Sequence, residues 1–180
     1  MTSNSAQTLS LNELEKGLPG ISEKVGSFLC EASSYCFDLQ KHKNGVEMQV
    51  NGDSEKVFQV AWQNKITEQT RNTWNDTQDL TEFGASGVAI LLTLNLTEFT
   101  VIHRAKKGEG IDYWLGKKDS ALPFEDAARL EVSGILAGNE STIKTRIKQK
   151  KAQTYPTDGN FPAYIAVIEF GKPVSHLEKK

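Results

Sequence analysis

Between Asp79 and Leu96 the chain carries the segment that most narrows its choice of fold. Gly84, Ala85, Ser86, Gly87 and Ala89 leave the first half of a predicted helix almost bare, while Val88 to Leu92, Leu94 and Leu96 make its second half apolar nearly all round. Glycines inside a helix cost propensity, so with small neighbours they signal another element packed very close. A helix apolar on every side is a buried one. With 180 residues and 38% hydrophobic content, the chain suits one compact domain around it.

Asp79 is the expected cap of this helix, and three strands are expected after it, over residues 99–105, 111–115 and 128–136. Lys106-Lys107-Gly108-Glu109-Gly110 is a gap of hairpin length, and a polar loop containing Pro123 makes the second connection. Asn139 caps a predicted helix over 140–153, and Tyr164 to Phe170, with the run Ile165-Ala166-Val167-Ile168, reads as a last strand. The order is αβββαβ.

Ahead of it, Leu14, Leu18, Ile21, Val25, Phe28, Leu29 and Ala32 recur at three- and four-residue steps and predict a helix over 21–39. Val46, Met48 and Val50 alternate with polar residues, Asn51-Gly52-Asp53 has turn chemistry and Val57 to Ala61 continues in extended style, together a hairpin of open register. Thr67 to Trp74 is a short helical candidate. Residues 1–8 are polar and read as a disordered tail, leaving a single domain over 9–180 with an N-terminal extension, 9–78, and a core, 79–171. The fold class expected is α/β (α+β), a mixed central sheet flanked by helices.

There is no apolar run of about 18 residues and no charged-then-apolar leader, so no membrane partner is expected and the cytoplasm is the expected location. Cys30 and Cys36 on one helix stand about 9 Å apart, beyond disulfide reach, and read as buried small hydrophobes. His42, His103 and His176 lack metal-ligand spacing. The net charge of −2 hides an asymmetry: residues 1–100 carry 7 basic and 13 acidic side chains, residues 101–180 carry 14 and 10. In the basic half, Lys144, Arg146, Lys148, Lys150 and Lys151 crowd one predicted helix without an acidic residue among them, which suits a phosphate backbone or simply a solvated face.

Three carboxylates converge in this scheme. A helix that turns tightly into an antiparallel strand starts beside that strand's far end, which puts Glu82 near Ala105. The hairpin returns from there with Asp112, and the third strand delivers Glu131 to the same edge. Oxygen donors of this kind suit Mg²⁺ or Mn²⁺, and a water on such an ion becomes a nucleophile.

The order αβββαβ with Glu82, Asp112 and Glu131-Val132-Ser133 resembles the restriction-endonuclease-like, or PD-(D/E)XK, nuclease superfamily over residues 79–171. The segments 107–116 and 128–135 also resemble a group of small uncharacterised bacterial proteins. The superfamily resemblance implies Asp112 and Glu131 as metal ligands, Glu82 as an added ligand, and DNA as the substrate. Ser133 stands where the family usually has Lys, and its neutral hydroxyl cannot place positive charge on an attacking water or a developing phosphorane. Some members draw that Lys from a neighbouring element, and Lys144, Lys148 and Lys107 are the candidates, Lys144 first. The catalytic set expected is therefore Asp112, Glu131, Ser133 and Lys144, with Lys107, Lys144, Arg146, Lys148 and Lys151 on the nucleic acid.

The function expected is a divalent-metal-dependent DNA nuclease. The alternative is a catalytically silent nuclease-fold module that binds nucleic acid or a partner protein, as a homodimer or beside an operon partner. Tyr113, Trp114, Trp62 and Trp74 read as packing residues, and Asn139 and Ser141 as helix-cap chemistry.

Overall fold

The computed structural model describes residues 6–120, 126–155, 159 and 161–180, so Met1 to Ser5 and Pro123 lie outside the described residues. The chain runs β1 (Gln7–Ser10), a 3-10 helix (Leu11–Lys16), α1 (Glu23–Leu39), β2 (Val46–Gly52), β3 (Lys56–Ala61), α2 (Glu68–Thr73) and α3 (Thr77–Leu96). It continues with β4 (Phe99–Arg104), β5 (Tyr113–Lys117), β6 (Ala128–Ile135), α4 (Glu140–Gln153), β7 (Ala163–Glu169) and β8 (Val174–Lys179). The described strands form one mixed sheet in the order β1-β3-β2-β8-β7-β6-β5-β4. Strands β4, β5 and β6 pair antiparallel in sequence, and β6 and β7 run parallel through the crossover helix α4. No helix among the described residues is long and apolar enough to cross a membrane.

Helix α3 is the centre of the packing. Its glycines are contact points: a Cβ on Gly84 would meet Cys36 Sγ at 2.5 Å, and one on Gly87 would meet Ser33 Oγ at 2.3 Å, so α1 lies directly against the bare face. On its other side α3 presses on β6, where a Cβ on Gly134 would come within 2.5 Å of the Thr81 carbonyl oxygen. The helix is thus covered by α1 outside and by the sheet inside. Cys30 and Cys36 are free, buried thiols in this layer.

Alternation along β6 and β7 then sorts side chains to two faces. Leu130, Val132, Ala166 and Ile168 join the large core that includes the apolar residues of α3. Ile135, Ile165 and Val167 face the other way and pack under Ile143 and Ile147 of α4. Glu131 and Ser133 share this α4 face.

Four expectations need correction. The tail ends sooner than residue 8, because Gln7 to Ser10 pair in parallel with β3 at Phe58 to Ala61. The cap of α3 is Asp76, whose Oδ1 accepts from the Gln78 amide at 2.8 Å and the Asp79 amide at 3.3 Å. The strand expected over 111–115 starts at Tyr113 and runs to Lys117. The strand ending near Phe170 is not the last: β8 follows, pairs with β7 and also runs parallel to β2, and so joins the N-terminal hairpin to the core sheet. The hairpin register is Val46 to Val60, Met48 to Phe58 and Val50 to Lys56.

Replacing a strand glycine by alanine ordinarily stabilises a strand, by about 0.5–1 kcal/mol. Gly134→Ala is expected to do the opposite, because its Cβ meets main chain of α3. We expect a loss of about 1–3 kcal/mol, read as a lower denaturant midpoint. An unchanged midpoint would show that α3 does not need this close approach.

Candidate functional site

Asp112 sits just ahead of β5 and is pinned from three sides. Its amide donates to the Leu130 carbonyl at 3.0 Å, and its carbonyl accepts from the Ala105 amide at 2.9 Å. Its side chain takes over where backbone pairing stops, with Oδ2 accepting from the Val132 amide at 2.7 Å. This fixes the carboxylate against β6 next to Glu131.

Glu131 is buried, with 5% of its surface exposed, and its Oε1 is 2.5 Å from the Lys150 ammonium. Burial raises its carboxyl most, the negative charge of the neighbouring Asp112 raises it as well and Lys150 pulls it back, which leaves it at about 7 against an ordinary 4.5. One turn before Lys150, Arg146 donates from Nη1 to Ser133 Oγ at 3.1 Å. Thr142, Arg146 and Lys150 follow one another at four-residue steps and so line one stripe of α4. With Glu82 and Thr81 of α3 opposite, they enclose a cleft of about 720 Å³ that also contains Asp112 and Ser133.

The expected residues therefore divide. Asp112, Glu131, Ser133 and Arg146 come together. Glu82 is exposed on α3 and faces the same cleft, yet among the described residues no three acidic, histidine or cysteine side chains gather at metal-ligand separation. A third carboxylate ligand is thus not part of the arrangement.

Lys144 is corrected as well. It turns outward to pair with Glu140 at 2.6 Å, with 72% of its side chain exposed. Lys150, in the same basic run, is the lysine that reaches Glu131. Lys148 is exposed, and Lys151 is drawn away to Glu178 of β8 at 2.5 Å. Lys107 is exposed in the β4–β5 hairpin.

Sequence reasoning passed over Arg129. It is buried to 2% exposure, and its guanidinium donates to the Phe161 carbonyl at 2.7 and 3.1 Å and to the Thr154 carbonyl at 3.3 Å. It ties β6 to both ends of the α4–β7 connection. An arginine between Ala128 and Leu130 in a strand was the available signal. Tyr113 is in the core as expected, and Trp114 packs edge-on against Phe161 at 5.6 Å.

The donor set fits a hard divalent cation. Two adjacent carboxylates on rigid elements, one of them raised by burial and by the other's charge, are what such an ion relieves. Mg²⁺ commonly takes only one or two protein carboxylates beside water and substrate oxygens. Asp112 and Glu131 would be the pair that holds it.

Comparison of the chain with family models, with curated proteins and with solved structures gives no match.

Stability should record the Glu131 carboxyl directly. Between about 4.5 and about 7 the unfolded chain has lost this proton and the folded chain still holds it, so stability falls as pH rises through that window. Wild-type protein is therefore expected to lose thermal stability relative to Glu131→Gln over that range and to run parallel to it outside the range. Parallel curves throughout would mean that Glu131 titrates as an ordinary carboxyl.

Proposed function

We propose that the protein cleaves DNA phosphodiesters with the help of Mg²⁺ or Mn²⁺, as a nuclease of the restriction-endonuclease-like kind. The observation that carries this reading is the meeting of Asp112, Glu131 and Lys150 beside a cleft that Arg146 of α4 also lines. The element order α3-β4-β5-β6-α4-β7, with β6 and β7 parallel, supports the same reading. Asp112, just ahead of β5, and Glu131, on the adjacent β6, stand as the metal-holding carboxylates of that kind do.

When bound, the cation would supply Lewis acidity and an activated water. The chain's own residues do the rest. Lys150 supplies the positive charge that Ser133 cannot, at the edge where a phosphorane would gain negative charge. Arg146 presents a planar guanidinium suited to phosphate oxygens. Hydrolysis forms one bond from water oxygen to phosphorus and breaks one from phosphorus to the leaving sugar oxygen. One water proton ends on that oxygen.

The 2.5 Å Glu131–Lys150 pair also supports a second reading, a silent binding module. In that case the ammonium stands permanently where a cation would go. Cleavage of labelled DNA in Mn²⁺ separates the two. Asp112→Ala and Glu131→Ala are expected to abolish cleavage, and Lys150→Ala to slow it about 100-fold, the scale on which removing one charged group from a transition state acts. Lys144→Ala should change the rate less than about twofold, as expected for an exposed ion pair. Retained cleavage in both carboxylate variants contradicts the nuclease reading.

A further inference from the structure

The Asp112–Glu131 pair does not lie at the blind end of its cleft. A second hollow of about 630 Å³ begins on the other side, and it shares Glu82 and Asp112 with the first. Glu131 faces this second hollow, whose rim carries Arg104, Lys106 and Lys107. The two hollows meet at the carboxylates. Along the line from one to the other the charge pattern is basic, acidic, basic: Arg146 and Lys150, then Asp112, Glu131 and Glu82, then Arg104, Lys106 and Lys107.

The second rim is held in shape. Glu109 Oε2 accepts from the Lys106 amide at 2.9 Å and from Trp114 Nε1 at 3.1 Å, which anchors the hairpin loop to β5. Gly110 has φ +71, and a Cβ there would lie 3.0 Å from the Gln153 carbonyl, so the loop also rests on the end of α4. Arg104, Lys106 and Lys107 are exposed and make no ion pair among the described residues, unlike Lys144, Lys151 and Lys117.

We propose that the site grips an internal stretch of a DNA strand, with backbone phosphates held on both sides of the Asp112–Glu131 pair. Arg146 and Lys150 hold the strand on one side, and Arg104, Lys106 and Lys107 hold it on the other. Cations on both sides of the acidic centre suit a phosphodiester flanked by further phosphates, so the cut falls within a strand. This inference rests on the nuclease reading for its chemistry but not for its grip.

The grip is tested by binding of a labelled oligonucleotide in Ca²⁺ as a function of salt. Every phosphate that the protein ceases to neutralise lowers the slope of log K against log salt by about 0.9 on duplex DNA and about 0.7 on single strands. The triple variant Arg104→Ala, Lys106→Ala, Lys107→Ala changes only exposed residues, and it should lower the slope by the equivalent of about 2–3 phosphates. Arg146→Ala should lower it by the equivalent of about one. A triple variant with the parental slope overturns the proposal.

The companion measurement uses covalently closed circular DNA in Mn²⁺. The parent should cut the circle, and the triple variant should cut it more slowly. A circle left intact while linear DNA is shortened from its ends overturns the proposal and leaves the nuclease reading standing. Equal cleavage by parent and Asp112→Ala overturns the nuclease reading instead, and the salt slope still decides the grip.

Discussion

Helix α3 touches main chain on two sides at once, and the site depends on that closeness. Gly84 and Gly87 let α1 settle against it from outside, and Gly134 lets β6 settle against it from inside. With ordinary side chains at these positions the layers would be forced apart. Glu82, on the first half of α3, would then leave the wall of the cleft that it shares with Asp112 and Ser133. The helix's apolar second half drives the burial, and its bare first half sets the distance.

From that packing the chemistry follows by alternation. Once Leu130 and Val132 are committed to the α3 core, Arg129, Glu131 and Ser133 must project to the opposite face, where α4 lies. Helix α4 has three jobs on three faces. Ile143 and Ile147 seat it on the sheet, Arg146 and Lys150 reach over the seam to Ser133 and Glu131, and Lys144 and Lys148 stay in solvent. A buried carboxyl, a neighbouring carboxylate and one ammonium are then held side by side, on elements that cannot easily yield.

Much of this was legible in the sequence, because long apolar patterns and capping residues act locally. The glycine-bearing helix, the three strands after it and the helix behind Asn139 all declared themselves, and with them the meeting of Asp112 and Glu131. Strands β1 and β8 did not. Gln-Thr-Leu-Ser has one apolar residue and Val-Ser-His-Leu-Glu-Lys has two, and β8 buries Ser175 beside Leu177, so neither gives a clear two-residue period. Sheet pairing alone makes them strands. The lysine was misassigned for a different reason. Ile143 and Ile147 fix which face of α4 looks inward, yet basic residues flank that stripe on both sides, Arg146 and Lys150 on one and Lys144 and Lys151 on the other. Which flank lies over Glu131 is set by how the helix crosses β6 and β7, and no local pattern encodes that crossing.

The central claim is that Asp112 and Glu131 form one acidic site suited to a divalent cation, with Lys150 beside it. Calorimetric titration of the protein with Mn²⁺, in parallel with Asp112→Asn, tests it most directly. The expected result is uptake of a Mn²⁺ ion by the parent, with affinity rising with pH as the Glu131 proton is displaced, and loss of that binding in Asp112→Asn. No uptake by the parent, or uptake that Asp112→Asn leaves intact, would contradict it.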